Sequence, residues 1–407
     1  MIRVSGPGAA VAATALAGRL PEPRRAALRV LRRADGGILD RALVLLFPVP
    51  ASATGEDLVE FHCHGGRAVV DAVEDTLASM PGLRRAEPGE FTRRALINGR
   101  IDLAEAEGLA DLLAAETERQ RIAALSGAEG VVSARIRNWL DRVAGIAAHV
   151  EAALDFADED DVVQTGGRLA DAQADAEGLA AEMREVLDEP PVERLRDGIR
   201  VVIGGPPNSG KSTLINLLAD RDVAIVSPVS GTTRDRIEAP VTRGGLPFVL
   251  TDTAGLTESL DSVEAIGVSR ATESIRAADL LIWLGDERPD RDAIWVHSRA
   301  DLPGRAKAPA SRDLSISSAW PDSIELLWTC IVARAELLVP AVDALSLSRQ
   351  QREQCRRAAE HLVHRSEDAL IFAEHLRLAR HSLATILGID AGEHLLDTLF
   401  ARFCVGK

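Results

Sequence analysis

The sequence contains no tyrosine, and aromatic residues fill only 3% of its 407 positions. Alanine and leucine dominate long stretches, which favours helix. Cysteine is also scarce: Cys63, Cys330, Cys355 and Cys404 are scattered, with no paired spacing. That pattern excludes a disulfide framework or a zinc knuckle and fits a reducing compartment. No run of about 18 apolar residues occurs, and no basic start leads into an apolar core. The expectation is a cytosolic chain with no membrane span. Positive charge is in deficit too, with a formal net charge of −15. Such a chain does not hold RNA through a broad electrostatic surface, so any nucleic-acid contact is expected from a local basic patch or a basic partner protein.

What is present is a composition ordinary for a globular protein, 46% hydrophobic and 27% charged, in a chain long enough for two or three domains. Residues 1–99 show short β-like runs at Ala42–Phe47 and Asp57–His62. Turn signals stand at Asp35-Gly36-Gly37, Gly65-Gly66 and Pro88-Gly89, and the zone reads as a small α+β domain. From Arg100 the text becomes helical. Asp102 followed by Glu105 resembles a capping box, and Leu109, Leu112, Leu113, Ile146, Val150 and Leu154 recur at helical spacing until Pro190-Pro191. From Ile199 to Pro340, buried-type runs (Val201–Ile203, Phe248–Leu250, Leu280–Trp283, Ile294–Val296) alternate with helical text, which predicts a parallel sheet. Helical composition then returns and lasts to Lys407.

Gly205-Pro206-Pro207-Asn208-Ser209-Gly210-Lys211-Ser212 follows an apolar strand and precedes an apolar helix. This is the phosphate-binding loop pattern: glycines let backbone N–H groups converge at a helix N-terminus. Asn208, Ser209, Gly210, Lys211, Ser212 and Thr213 would surround the phosphates, with Lys211 on the β/γ oxygens and the Ser212 hydroxyl on Mg²⁺. Asp252-Thr253-Ala254-Gly255 ends the next strand and supplies an acidic residue behind the Mg²⁺ position and a Gly255 N–H for the γ-phosphate. Gly231-Thr232-Thr233-Arg234-Asp235 reads as a switch loop. Ser298-Arg299-Ala300-Asp301 stands where GTPases show Asn-Lys-x-Asp. Asp301 can accept from both guanine N–H groups and Arg299 can stack on the base, while Ser298 is shorter than asparagine and loses contacts. Ser317-Ser318-Ala319 looks like the last guanine-side loop. The chain is therefore read as a nucleotide hydrolase with a guanine preference.

With these motifs go Thr54–Asp57, His64-Gly65-Gly66, Pro88–Ala95, Asn98–Ala106 and the tail Phe403–Lys407. Taken in order, they resemble the bacterial tRNA modification GTPase MnmE (TrmE) family over nearly the whole chain. The resemblance implies a multidomain α/β and α fold: an N-terminal α+β folate-binding-like domain over 1–99, and a helical domain over 100–197 and 341–407 interrupted by an inserted Ras-like GTPase domain over 198–340. It implies a homodimer, a formyl-tetrahydrofolate held by Arg3, Glu60, Arg100 and Lys407, and a flavoprotein partner, FAD-dependent MnmG (GidA). With that partner, such proteins place an aminomethyl or carboxymethylaminomethyl group on the wobble uridine of certain tRNAs. It implies K⁺ held by Asn208, Ser227, Val229 and Thr232, and Thr233 joining Ser212 on Mg²⁺. Leu256 cannot orient water, and Glu264 matches the family's glutamate that does so through a second water. Cys404 matches a residue proposed to take part in the modification chemistry.

The chain also departs from the family. Members carry a further strand and a Gly-Arg-Gly-Gly-like loop ahead of the segment matching Met1–Gly6, so folate and dimer contacts are expected to change. The stretch between Gly285 and Trp295 is shortened. His62-Cys63-His64 could aim two histidines to one face, but two ligands without a third make a poor metal site. The acidic run Asp158–Asp161 reads as a solvated helix end, since it lacks the alternation and glycine of a Ca²⁺ loop. Two alternatives remain: a nucleotide-gated scaffold with little turnover, motivated by Ser298, and a ribosome-assembly GTPase, which leaves the Gly89–Ala95 motif and the tail unexplained.

Overall fold

The computed structural model describes residues 1–155, 162–219, 238–252, 273–305, 307–309, 311–389 and 399. Two compact units divide the chain: residues 1–110, 128–136 and 384–407 form one, residues 111–127 and 137–383 the other.

In the first unit, strands β1 (Ile2–Ser5), β2 (Ala27–Arg32), β3 (Ile38–Phe47) and β4 (Leu58–His62) form an antiparallel sheet in the order β1-β4-β3-β2. Strand period decides the faces. Ala42, Val44, Val59 and Phe61 are buried, whereas Leu28 and Leu43, which oppose each other across β2 and β3, are exposed. Helix α1 (Ala9–Ala17) covers the buried face with Ala9, Ala12, Ala13 and Leu16, small side chains at helical spacing that permit close approach. Helix α2 (Arg67–Ala78) adds Val73 and Leu77. The β2–β3 turn needs Gly36 at φ 88°, and the Asp35 carboxylate accepts the Gly37 N–H at 2.9 Å. Helix α3 (Glu90–Ile97) follows.

Helix α4 (Leu103–Ala114) begins with the expected capping box. Asp102 Oδ1 accepts the Glu105 N–H at 3.0 Å, and Glu105 Oε2 accepts the Asp102 N–H at 2.9 Å. Helices α5 (Glu118–Ala128), α6 (Val131–Asp155), α7 (Val162–Asp188) and the short α8 (Glu193–Asp197) come next.

The second unit is built on a six-stranded sheet ordered β10-β9-β8-β5-β7-β6, from β5 (Ile199–Gly204), β6 (Glu238–Arg243), β7 (Leu246–Asp252), β8 (Leu280–Trp283), β9 (Ile294–His297) and β10 (Leu314–Ser315). The predicted runs are all strands, and β5 is buried nearly throughout, as a strand covered on both faces must be. The sheet is not wholly parallel: β6 runs antiparallel to β7. The reason is local. Arg243 opposes Leu246, leaving a two-residue turn whose Gly244 and Gly245 have φ 58° and 78°, the geometry that suits a tight hairpin. Helix α9 (Lys211–Ala219) follows β5, and α10 (Pro321–Glu336) packs Leu327, Trp328 and Ile331 under the sheet. Trp328 meets Phe248 edge-on at 5.3 Å. Helix α11 (Arg349–Leu362), capped by Ser348 and Gln351, lies against α7; Cys355, Ala358 and Ala359 of the one and Ala176, Leu179 and Met183 of the other are buried. Helix α12 (Ala369–Ile386) ends the described helices. No described helix is long and apolar enough to cross a membrane.

Candidate nucleotide site

Strand β5 delivers the chain into the loop Gly205–Gly210, and α9 leaves it. The backbone makes the tight path possible at Gly205 (φ 147°), Asn208 (φ 60°) and Gly210 (φ 99°). A side chain at Gly205 would press on Leu284 Cβ at 3.1 Å and the Gly285 nitrogen at 3.3 Å. Lys211 is buried, and its ammonium donates to the carbonyls of Gly205 (3.1 Å) and Pro206 (3.0 Å), which holds the charge at the loop. Burial pushes its pKa down, and the Asp252 carboxylate opposes that.

Strand pairing brings the second motif to the same place. Ile203 opposes Asp252 in the β5–β7 register, and the Ser212 hydroxyl donates to Asp252 Oδ2 at 2.6 Å. A hydroxyl and a carboxylate at the mouth of a phosphate loop form a hard oxygen donor set, which suits Mg²⁺. Thr253, Ala254, Gly255, Ser227, Val229, Gly231, Thr232, Thr233, Glu264, Cys404 and Lys407 lie outside the described residues, as does Asp158–Asp161.

Beside the loop is a cavity of about 180 Å³ lined by Gly210, Thr213, Leu217, Ser298, Arg299 and Ser318, among others. Ser298 is buried, and its hydroxyl donates to the Ser209 carbonyl at 3.0 Å, so the base-side loop is tied to the phosphate loop. Arg299 sits at φ 57°, with Nε 3.8 Å from where a Cβ on Gly210 would stand. Asp301 is exposed. Its Oδ1 accepts from the Ser317 hydroxyl at 2.5 Å, and Ser317 Oγ in turn accepts the Ala319 N–H at 3.0 Å. Ser317 and Ala319 thus aim the Asp301 carboxylate. The motif Ser317-Ser318-Ala319 marks this loop in the sequence but does not reveal that the Ser317 hydroxyl bonds the Asp301 carboxylate. Arg305 and Arg312, described below, carry no motif.

The expected folate residues lie in the first unit. Arg3 and Glu60 are directly opposed in the β1–β4 pairing, and the Arg3 guanidinium lies 4.6 Å from the Phe91 ring. Strand β4 lies between β1 and β3, so Glu60 stands on an inner strand of the sheet. Arg100 packs its stem by Gly55, which holds φ 76°. A cavity of about 580 Å³ is lined by Arg3, Phe91, Arg84 and Arg94, but not by Glu60 or Arg100. The motif residues around it hold one another. Arg94 bonds Glu56 (3.0 Å) and Glu90 (2.8 Å), Ser5 donates to Glu56 (2.9 Å), and Asn98 donates to the Thr54 carbonyl (2.7 Å).

His62 and His64 take different carboxylate partners. His62 meets Glu60 at 3.2 Å and His64 meets Asp40 at 2.7 Å, and no described group of three or more donors is placed to hold an ion. Asp40 is pushed up by burial but held below its ordinary value overall by hydrogen bonds from His64. Burial raises the Cys63 thiol to about 11 and Cys355 to about 12, so neither is a thiolate near neutral pH.

Comparison with known proteins shows the family of the chain. The MnmE helical domain family matches residues 103–404, and the GTP-binding protein TrmE N-terminus family matches residues 1–100. The chain is 51% identical to the tRNA modification GTPase MnmE of Erythrobacter litoralis, over all of this chain and 96% of that protein. It is 51% identical to that of Sphingopyxis alaskensis over 100% of both, and 46% identical to that of Novosphingobium aromaticivorans over all of this chain and 96% of that protein. The cytosolic domain of the T. maritima FeoB iron transporter in GMPPNP form overlays at a TM-score of 0.26 with 15% identity, over 47% of this chain and 98% of that one.

Proposed function

This chain belongs to the tRNA modification GTPase MnmE family and is a GTP-hydrolysing enzyme; we propose that it hydrolyses GTP with K⁺ stimulation and, with a flavoprotein partner, serves the modification of the wobble uridine at C5 in certain tRNAs. The observation that carries the proposal is the meeting of three motifs at one loop. Ser212 bonds Asp252 at 2.6 Å, while Ser298 bonds the carbonyl of Ser209 at 3.0 Å. The three motifs are thereby tied to one another.

In this reading Lys211 binds the β/γ-phosphate oxygens, and Ser212 and Thr233 hold Mg²⁺. Asn208, Ser227, Val229 and Thr232 hold K⁺, and Asp301 reads guanine. Thr253, Ala254 and Gly255 close on the γ-phosphate, and Glu264 orients the attacking water through a second water. K⁺ held by Asn208, Ser227, Val229 and Thr232 would supply the positive charge that other GTPases take from an arginine. Asn208 lies within the loop with a left-handed backbone (φ 60°), which supports its part.

Residues 1–99 are proposed to form the dimerising, formyl-tetrahydrofolate-binding domain. The opposed Arg3 and Glu60 offer a donor and an acceptor for the folate, with Arg100 and Lys407 completing the set. Residues 100–197 with 341–407 would form the helical domain, which carries Cys404, around the GTPase domain 198–340. The partner would be an FAD-dependent protein like MnmG, and the place of action the cytoplasm. The test is steady-state GTP hydrolysis in KCl against NaCl. Faster turnover in KCl is expected, and equal rates would remove the K⁺ assignment.

A further inference from the structure

Ser298 poses a problem that the structure answers elsewhere. A serine hydroxyl has one proton, and here it is spent on the Ser209 carbonyl at 3.0 Å. The asparagine usual at this place carries two amide protons and can tie the loop down by itself. We propose that Arg305, which no motif contains, is the positioning residue that holds the base-reading loop in this chain. This rests on the reading that Ser298–Asp301 contacts the guanine of GTP.

Arg305 Nε donates to the Ser298 carbonyl at 2.9 Å, directly behind the hydroxyl that grips the phosphate loop. Its Nη2 donates to Asp286 Oδ1 at 3.1 Å. Its own carbonyl accepts from His297 Nε2 at 2.8 Å, so its backbone is fastened to the residue preceding Ser298. Asp286 is fastened in turn. Arg312 donates to the Gly285 carbonyl (2.5 Å) and the Asp286 carbonyl (2.8 Å), with its guanidinium 4.0 Å from the centre of the Trp295 ring. The Arg312 side chain is only 3% exposed, so it anchors the Gly285–Asp286 backbone from the interior, while the Asp286 carboxylate itself is 72% exposed. Leu284 and Gly285 abut Gly205 of the phosphate loop. The contacts therefore close a ring: phosphate loop, Ser298, Arg305, Asp286, Gly285, phosphate loop. The ring uses Gly285–Asp286, at the start of the stretch whose shortening the sequence marks.

The expected effect follows from losing one charge-assisted bond to a buried loop. In the full-length chain, Arg305→Ala should weaken binding of a fluorescent GTP analogue and raise KM for GTP about tenfold, equivalent to ~1.4 kcal/mol, with kcat within about twofold. Inorganic tripolyphosphate, which engages the phosphate loop alone, should compete as well against the variant as against the wild type. Arg305→Lys should recover part of the affinity. In a Ser298→Asn background, the Arg305→Ala penalty should shrink below about threefold, because the amide restores the tie from within the motif. A loss of tripolyphosphate affinity equal to the loss for GTP, an unchanged GTP affinity, or the same penalty in both backgrounds would overturn the proposal. The binding measurements need no turnover, so absent hydrolysis by the wild type would count against the GTPase reading and leave this one to stand or fall separately.

Discussion

Replacing Glu90 with glutamine should uncover a carboxylate that stabilises the N-terminal unit. Glu90 Oε1 and Oε2 accept from Arg84 at 2.6 and 2.8 Å, Oε1 also accepts from Arg94 at 2.8 Å, and Oε2 accepts the Glu87 N–H at 2.9 Å. Burial works to raise its pKa, and these partners outweigh it, bringing the group from 4.5 to about 2. The Glu90 side chain is 13% exposed, so solvent screens it little, while Arg84 is 60% exposed and weakens the pair. The depression corresponds to about 2 to 3 kcal/mol of stability at neutral pH. The sign is set by the lowered pKa: the contribution is complete above the ordinary value of 4.5 and disappears as pH falls through about 2. Roughly half should be gone near pH 3. Urea unfolding of the full chain and of Glu90→Gln, from pH 7 down to pH 3, gives the difference directly. The gap between the two proteins should be about 2 to 3 kcal/mol at pH 7 and narrow on acidification. A gap that stays constant with pH would refute the charge-based account, and no gap at pH 7 would refute the network itself.

Two further substitutions probe the nucleotide site. Asp301→Asn should cost GTP on the order of a hundredfold in kcat/KM and shift preference towards XTP, because the amide no longer accepts from both guanine N–H groups; competition between the two nucleotides measures it. Ser212→Ala removes the hydroxyl that meets Asp252 and should cut turnover by about two orders of magnitude, with the residual rate no longer rising as Mg²⁺ is titrated.

Much of this is legible in the sequence, and the boundary is physical. The phosphate loop, the strand carrying Asp252 and the Asp102–Glu105 cap are local patterns, and short-range backbone geometry enforces them. The β6–β7 reversal was signalled by Gly244-Gly245, yet a reading based on alternating strands and helices favours parallel pairing. Long-range side-chain choices were not readable. Arg94 finds Glu56 and Arg305 finds Ser298 and Asp286 only because the fold brings distant segments together. A motif such as Pro88–Ala95 is recognisable, but its text does not reveal that Glu90 and Arg94 spend their charges on one another and on Glu56. The same limit explains why the weakness at Ser298 was visible while the arginine behind it was not.

The central claim is that nucleotide turnover at this loop serves tRNA modification. The most direct test is mass analysis of tRNA wobble uridines from a strain lacking the gene, complemented with the wild-type chain or with Lys211→Ala. The account predicts C5-substituted uridines with the wild type and their loss with the variant. Identical wobble nucleosides in the two complemented strains, or in the strain lacking the gene and its parent, would contradict it.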